Sequence, residues 1–168
     1  MLIKVINPNT TWAMTEKIGD CARSVAAAGT IIDAVSPTMG PASIESHYDE
    51  ALSVPGVLDE IAKGERDGVD GYVLACVGDP GLDAAREFTR GPVVAIAEAG
   101  MKVATYLGRG FTVVTTLERT IGRAWALVAK CSRAQLELQR GVPGLDDRVI
   151  ERGAGPAHGL GDAQPLAG

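Results

Sequence analysis

Aromatic side chains are scarce in this sequence: two Trp, three Tyr and two Phe among 168 residues, or 4%. A core without large rings is built from Ala, Val, Ile and Leu, and such cores suit α/β folds. Basic charge is not in excess either. With 16 Lys and Arg against 21 Asp and Glu, the formal net charge is −5, and no basic stripe is visible. That argues against a phosphate-backbone partner and sets nucleic acid aside. No apolar run approaches the roughly 20 residues that a membrane span needs. Cysteine is limited to three, an odd number, and no charged segment leads into an apolar one at the start. Together these point to a reducing cytoplasm rather than a disulfide framework. Also missing are Cys/His pairs at zinc spacing, a G-x-G-x-x-G run after a strand, and a Walker sequence, so no cofactor is expected. No internal repeat is visible.

What is present alternates between two periodicities. "MLIKVIN", "TIIDAVS", "VDGYVLAC", "PVVAIAE" and "GFTVVTT" read as five strands. "TTWAMTEKIGDCARSVAAA", "DEALSVPGVLDEIAKGERDG", "DPGLDAAREFTR", "AGMKVATYLG" and "LERTIGRAWALVAKCSRAQLELQR" read as helices. A Thr at the start of the first helix can cap its free N–H groups. Pro55 and Gly56 are expected to kink or split the second, and Asp79 to cap the third with Pro80 at its first position. Mostly continuous apolar strands between helices imply a parallel, Rossmann-like sheet sandwiched between helices. In such sheets ligands collect at the carboxyl ends of the strands. That rule selects "NPNTT", "CVGDPG" and "TTLERT" and predicts that they face one another. From about Gly141 the sequence is rich in Gly and Pro and loses both periodicities, which predicts a largely disordered tail.

Cys76 ends an apolar run just ahead of a helix start. The half positive charge of a helix N-terminus and the N–H groups of Val77 and Gly78 could stabilise a thiolate there, making Cys76 a candidate base or nucleophile. Free cysteine also packs as a small hydrophobe, so a packing role stays open. Cys21 and Cys131 lie deep within their helices, roughly 15 to 20 Å from the N-termini at 1.5 Å per residue, and read as packing residues. On this reading Cys76 alkylates fastest of the three. In "NPNTT", Asn7, Asn9, Thr10 and Thr11 form either a capped turn or a set of donors and acceptors for a polar ligand. Thr115 and Thr116 either finish a strand or hydrogen-bond a carbonyl. His47 is the candidate base for a thiol-dependent hydrolase, although a loop histidine is more often simply solvated. A non-catalytic small-molecule binding or subunit module would also fit these residues.

"KVINPNTT", "MGPASIESHYDEA", "GVDGYVLACVGDPGLDAARE", "PVVAIAEAGM" and "FTVVTTLERT" together resemble hydantoin racemase, within the aspartate/glutamate racemase superfamily, with allantoin racemase a close relative. The resemblance runs from about Lys4 to about Lys130. It implies a cofactor-independent, two-base isomerisation at C5 of a 5-substituted hydantoin or of allantoin, one cysteine taking the proton and a second returning one on the opposite face. Cys76 matches the first cysteine. Asn7, Val77, Gly78, Thr115 and Thr116 sit in the matching polar motifs, and Ile96 would wall the pocket for the 5-substituent. The resemblance places the second cysteine on a Gly-Cys-Ala-Gly type motif that this sequence does not contain, and a helix of the expected length carries Cys131 toward the wrong edge to replace it. The expected organisation is residues 1–95 as a first α/β lobe carrying Cys76, 96–140 as the start of an incomplete second lobe, and 141–168 as the tail. An incomplete lobe would leave apolar surface uncovered and favour a homo-oligomer. With one of two bases, inversion loses its mechanism, and one-sided exchange at C5 is the expected residue of activity.

Overall fold

In the computed structural model, residues 1–115 and 117–140 are described, with side chains given through Cys131. The expected tail and Thr116 lie outside the described residues. Two compact units divide the chain, Met1–Cys131 and Ser132–Gly168, and the sheet lies in the first. Its four strands are β1 (Leu2–Ile6), β2 (Ile31–Val35), β3 (Gly71–Leu74) and β4 (Val93–Ala95), all parallel, in the order β2-β1-β3-β4. The connections are α1 (Trp12–Val25), α2 (His47–Asp67) and α3 (Leu82–Phe88); α4 (Ile96–Leu107) and α5 (Ile121–Arg140) follow β4. Ile6 pairs in register with Val35 on one side and Leu74 on the other. The chain therefore runs from β1 outward to β2 and crosses back to β3, and the order reverses between β1 and β3. In an open parallel sheet that reversal opens a crevice beyond the strand ends.

The period-two pattern of the strands decides which face is dry. Ile6, Tyr72, Leu74, Val93 and Ala95 share one face and pack against Val57 and Ile61 of α2 and Leu82 and Ala85 of α3. Each fully buried aliphatic chain of this kind contributes about 1.5–3 kcal/mol. Lys4 lies on the same face, buried, with Nζ 3.6 Å from Asp33 Oδ2 and 4.0 Å from Glu60 Oε2, so its charge is shared between two carboxylates. On the opposite face Ile3, Val5, Ile32 and Val73 meet α1 across an apolar groove of about 720 Å³, with Ile96 at its margin. No helix among the described residues is long and apolar enough to cross a membrane.

Three expectations are corrected. The second helix is not split in two, since α2 is continuous through Pro55. Pro55 lies on its exposed side, where water can satisfy the carbonyl that the missing N–H leaves free. Its start is firm: Ser46 Oγ accepts from Asp49 N at 3.2 Å and donates to Asp49 Oδ2 at 2.7 Å, a reciprocal cap. The fifth strand is not formed. Residues 111–115 are irregular, Val114 is 88% exposed, and β4 is the edge of the sheet among the described residues. A run of strand-forming residues becomes a strand only where a neighbour offers a ladder. Thr11 occupies the N-cap of α1 without a side-chain cap bond, because its hydroxyl donates instead to Ala42 O at 2.7 Å.

Two helix glycines set opposite expectations. A Cβ on Gly56 would lie 2.7 Å from Pro37 Cβ and 2.8 Å from the Met39 carbonyl oxygen, whereas one on Gly100 would meet nothing within 4 Å. Gly56→Ala is expected to lower the urea midpoint by the equivalent of about 1–3 kcal/mol, the usual cost of overpacking. Gly100→Ala should raise it by about 0.5–1 kcal/mol through reduced backbone freedom.

Candidate active site

The first and second of the three selected segments meet at the reversal between β1 and β3. Ala75 N donates to Ile6 O at 2.8 Å, which ties the start of the Cys76 segment to the end of β1, and Asn7 N donates to Val35 O at 2.9 Å. Asn7 is buried, and its side chain is fully engaged: Nδ2 donates to Asn9 Oδ1 at 2.9 Å and Thr15 Oγ1 at 3.0 Å, while Oδ1 accepts from Asn9 N at 3.4 Å. Asn9 Oδ1 also accepts from Thr11 N at 2.9 Å, and Thr15 bonds Ser36. As folded here, Asn7 shapes the "NPNTT" turn and keeps no side-chain donor free for a ligand.

Beyond β3 the chain closes a tight turn, Asp79 N donating to Cys76 O at 3.1 Å. Asp79 has φ 49°, a left-handed conformation that Asp tolerates. The expected capping arrangement is therefore corrected: α3 begins at Leu82, behind Gly81 with φ 74°, and Asp79 does not cap it. Its carboxylate reaches α4 instead, where Oδ1 accepts from Ala97 N at 3.1 Å and Oδ2 from Glu98 N at 2.8 Å. A residue of the Cys76 turn thus caps a helix 18 positions downstream. Burial of the Asp79 carboxyl pushes its pKa up, and the two N–H donors work against that shift.

Cys76 is partly buried rather than presented on a helix N-terminus. Burial pushes its thiol up to about 11; the Arg123 guanidinium pulls it down, the Asp79 and Glu50 carboxylates push it further up, and the Gly78 N–H favours the anion. The expected lowering by a helix start fails because α3, only seven residues long, begins six positions later. Val77 is 62% exposed beside it, and Gly78 packs under the guanidinium of Arg123. Ile96 opens α4 and borders the apolar groove together with Val73 and Ala75. Thr115 lies in the irregular segment, where its hydroxyl pairs with that of Thr120, and no described hydrogen bond joins it to the Cys76 turn.

The remaining candidates separate. Cys21 is exposed at the rim of the groove, not packed in a core. Cys131 is partly buried, and its thiol is raised first by burial and then by the charges of Glu98 and Asp79. The side chain of His47 is 78% exposed, with Nδ1 3.7 Å from Glu50 Oε2, so it faces a carboxylate rather than the sulfur. Among the described residues no cluster of His, Cys, Asp and Glu could hold a metal ion. Two charged residues that no motif marks, Glu50 and Arg123, act on the ionisation of the thiol. They line, with His47, Gly78, Asp79 and Lys130, a cleft of about 380 Å³. Nothing in their local pattern separates them from solvated helix charges; only the packing of α2 and α5 on the turn brings them there.

Fold and site together define a parallel α/β protein whose cysteine stands at the carboxyl end of a central strand, beside the crevice where the strand order reverses. Residues 3–158 match the family model described as Asp/Glu/Hydantoin racemase, and the chain belongs to that family. It is 62% identical over 119 residues to a hydantoin racemase of Pseudomonas sp. (strain NS671), covering 71% of this chain and 48% of that protein. To a hydantoin racemase of Rhizobium meliloti it is 51% identical over 121 residues, covering 72% and 50%. The structure of allantoin racemase from Klebsiella pneumoniae superposes with a TM-score of 0.78 at 46% identity, covering 91% of this chain and 66% of that one. The chain thus spans about half the length of the curated relatives it matches.

Asp79→Ala should leave the Ala97 and Glu98 N–H groups without their acceptor and place a Cβ-bearing residue without a local hydrogen-bonding side chain at positive φ. A loss of about 1–3 kcal/mol is expected from the urea midpoint, with Asp79→Gly less affected because the backbone strain is relieved.

Proposed function

We propose that the chain carries the proton-abstracting half of a hydantoin racemase-type isomerisation, with Cys76 as the base. The observation that carries the reading is the position of Cys76 at the end of β3, beside the crevice, in a chain of the Asp/Glu/hydantoin racemase family. C5 of a 5-substituted hydantoin bears a proton between a carbonyl and an amide nitrogen. The Cys76 thiolate takes that proton, the carbon's electron pair moves toward the adjacent carbonyl oxygen, and an enolate-like anion forms. Backbone N–H groups of the turn, such as that of Val77, are the donors that oppose this charge. Return of the proton from the Cys76 thiol to the same face restores the original configuration. Inversion needs a donor on the other face, a role the resemblance gives to a motif outside this sequence. Ile96 and the adjoining apolar groove, which reaches Ala75 next to Cys76, are what supports a hydrocarbon 5-substituent, and the likeness to an allantoin racemase extends the substrate class to a ureido group.

Deuterium exchange at C5 in D2O, followed by NMR on one enantiomer, tests this. Exchange is expected with retention, its kcat/KM rising about tenfold per pH unit toward the thiol's value of about 11. Cys76→Ser should reduce it by about 100-fold or more; equal exchange by that variant removes Cys76 from the mechanism.

One observation favours a second reading. A thiol held near 11 is almost wholly protonated at neutral pH, which suits a non-catalytic module that binds the ring without deprotonating it. Calorimetric titration with a hydantoin distinguishes the two, since unchanged binding by Cys76→Ser, without exchange by either protein, belongs to the binder.

A further inference from the structure

Charges from three elements converge on the Cys76 turn. From α5 comes Arg123, its side chain 14% exposed. A Cβ placed on Gly78 would lie 3.5 Å from Arg123 Cζ and 3.5 Å from Nε, so the guanidinium lies against the Gly78 peptide. From α2 comes Glu50, whose Oε2 accepts from Arg123 Nη1 at 3.4 Å and stands 3.7 Å from His47 Nδ1. The turn itself supplies Asp79, already engaged by the N–H groups of α4. The other cation of the cleft, Lys130, is held by Asp83 at 2.7 Å. The Arg123–Glu50 contact is long for a charge-assisted bond, which is ordinarily about 2.7–2.9 Å. Arg123 therefore spans the Glu50 carboxylate and the Gly78 peptide, two residues from Cys76, without being saturated by the carboxylate.

We infer that Arg123 is a positioning residue for Cys76: seated over the Gly78 peptide and shared with Glu50, its guanidinium is the counter-cation against which the thiolate forms. Loss of the thiol proton to solvent leaves a sulfur anion in an enclosed site, where an adjacent cation is the main compensation for lost hydration. Glu50 acts in the opposite sense, as a competing anion that occupies part of the guanidinium. The burial that raises the Cys76 thiol and the opposing pull of Arg123 agree with this arrangement. The inference rests on Cys76 being the base, yet its test needs no substrate.

The test uses the full chain with Cys21→Ser and Cys131→Ser, so that only Cys76 reports. Iodoacetamide alkylation, in which a sulfur–carbon bond forms and iodide leaves, is followed across pH to give the midpoint for thiolate formation. Arg123→Gln is expected to move the midpoint upward and slow alkylation at pH 8 by about tenfold, one unit of thiol ionisation. Arg123→Lys should restore most of the rate. Glu50→Gln should move the midpoint downward. Unchanged midpoints in folded Arg123→Gln and Glu50→Gln proteins overturn the inference, and if Arg123→Gln does not fold, the direction of Glu50→Gln decides alone. Absence of C5 exchange by the parent protein would count against the isomerase reading while leaving these midpoint shifts readable.

Discussion

The carboxylate of Asp79 is the constraint on which the site depends. It belongs to the turn that follows β3, yet its two oxygens accept N–H groups from the first turn of α4. One side chain thereby fixes the left-handed turn, the orientation of Cys76 and Gly78, and the point where the chain leaves β4. A capping carboxylate on the helix it precedes would stabilise only that helix. Here the cap is remote, so the turn and α4 are held as one piece, and α4 carries Ile96 at its first position.

Electrostatics at the sulfur follow from that placement. The turn carries Cys76 into a partly buried position, where Asp79 of the same turn, Glu50 of α2 and Arg123 of α5 act on its ionisation. Enclosure opposes ionisation and the guanidinium favours it, and enclosure prevails. The thiol is consequently a weak acid at rest, and any chemistry it performs depends on how the surrounding charges are distributed when a ligand enters the crevice. A strong resting base would also be a strong resting nucleophile, open to oxidation and alkylation.

The parallel sheet was legible from the apolar-dominated runs "LIKVI", "GYVL" and "VVA" alternating with helices, a trace that strands covered by crossover helices leave in composition. The position of Cys76 at a strand end was legible for the same reason. The wrong expectations share a different cause. The run ending in Thr115 looks like a strand, but pairing is decided by a neighbour that local sequence does not show. Pro55 does not split its helix, and it lies on the exposed side, where water can take the carbonyl left without its N–H. Asp79 followed by Pro80 reads locally as a helix start, whereas its hydrogen-bond partners lie 18 residues away. Arg123 and Glu50 were indistinguishable from other helix charges until three elements were packed together. The expectations that fail are those whose outcome depends on long-range contacts.

The position of β1 in the middle of the sheet bears on how the chain reaches its fold. It precedes both of its partners in the chain: Ile3 pairs with Ile32 on one side and with Gly71 on the other. Parallel pairing over such separations is slow, because loop closure must precede any ladder bond. A nascent β1 therefore waits with its apolar side chains unpaired until α2 and β3 have emerged from the ribosome, and during translation the vulnerable interval falls on the strand that ends at "NPNTT".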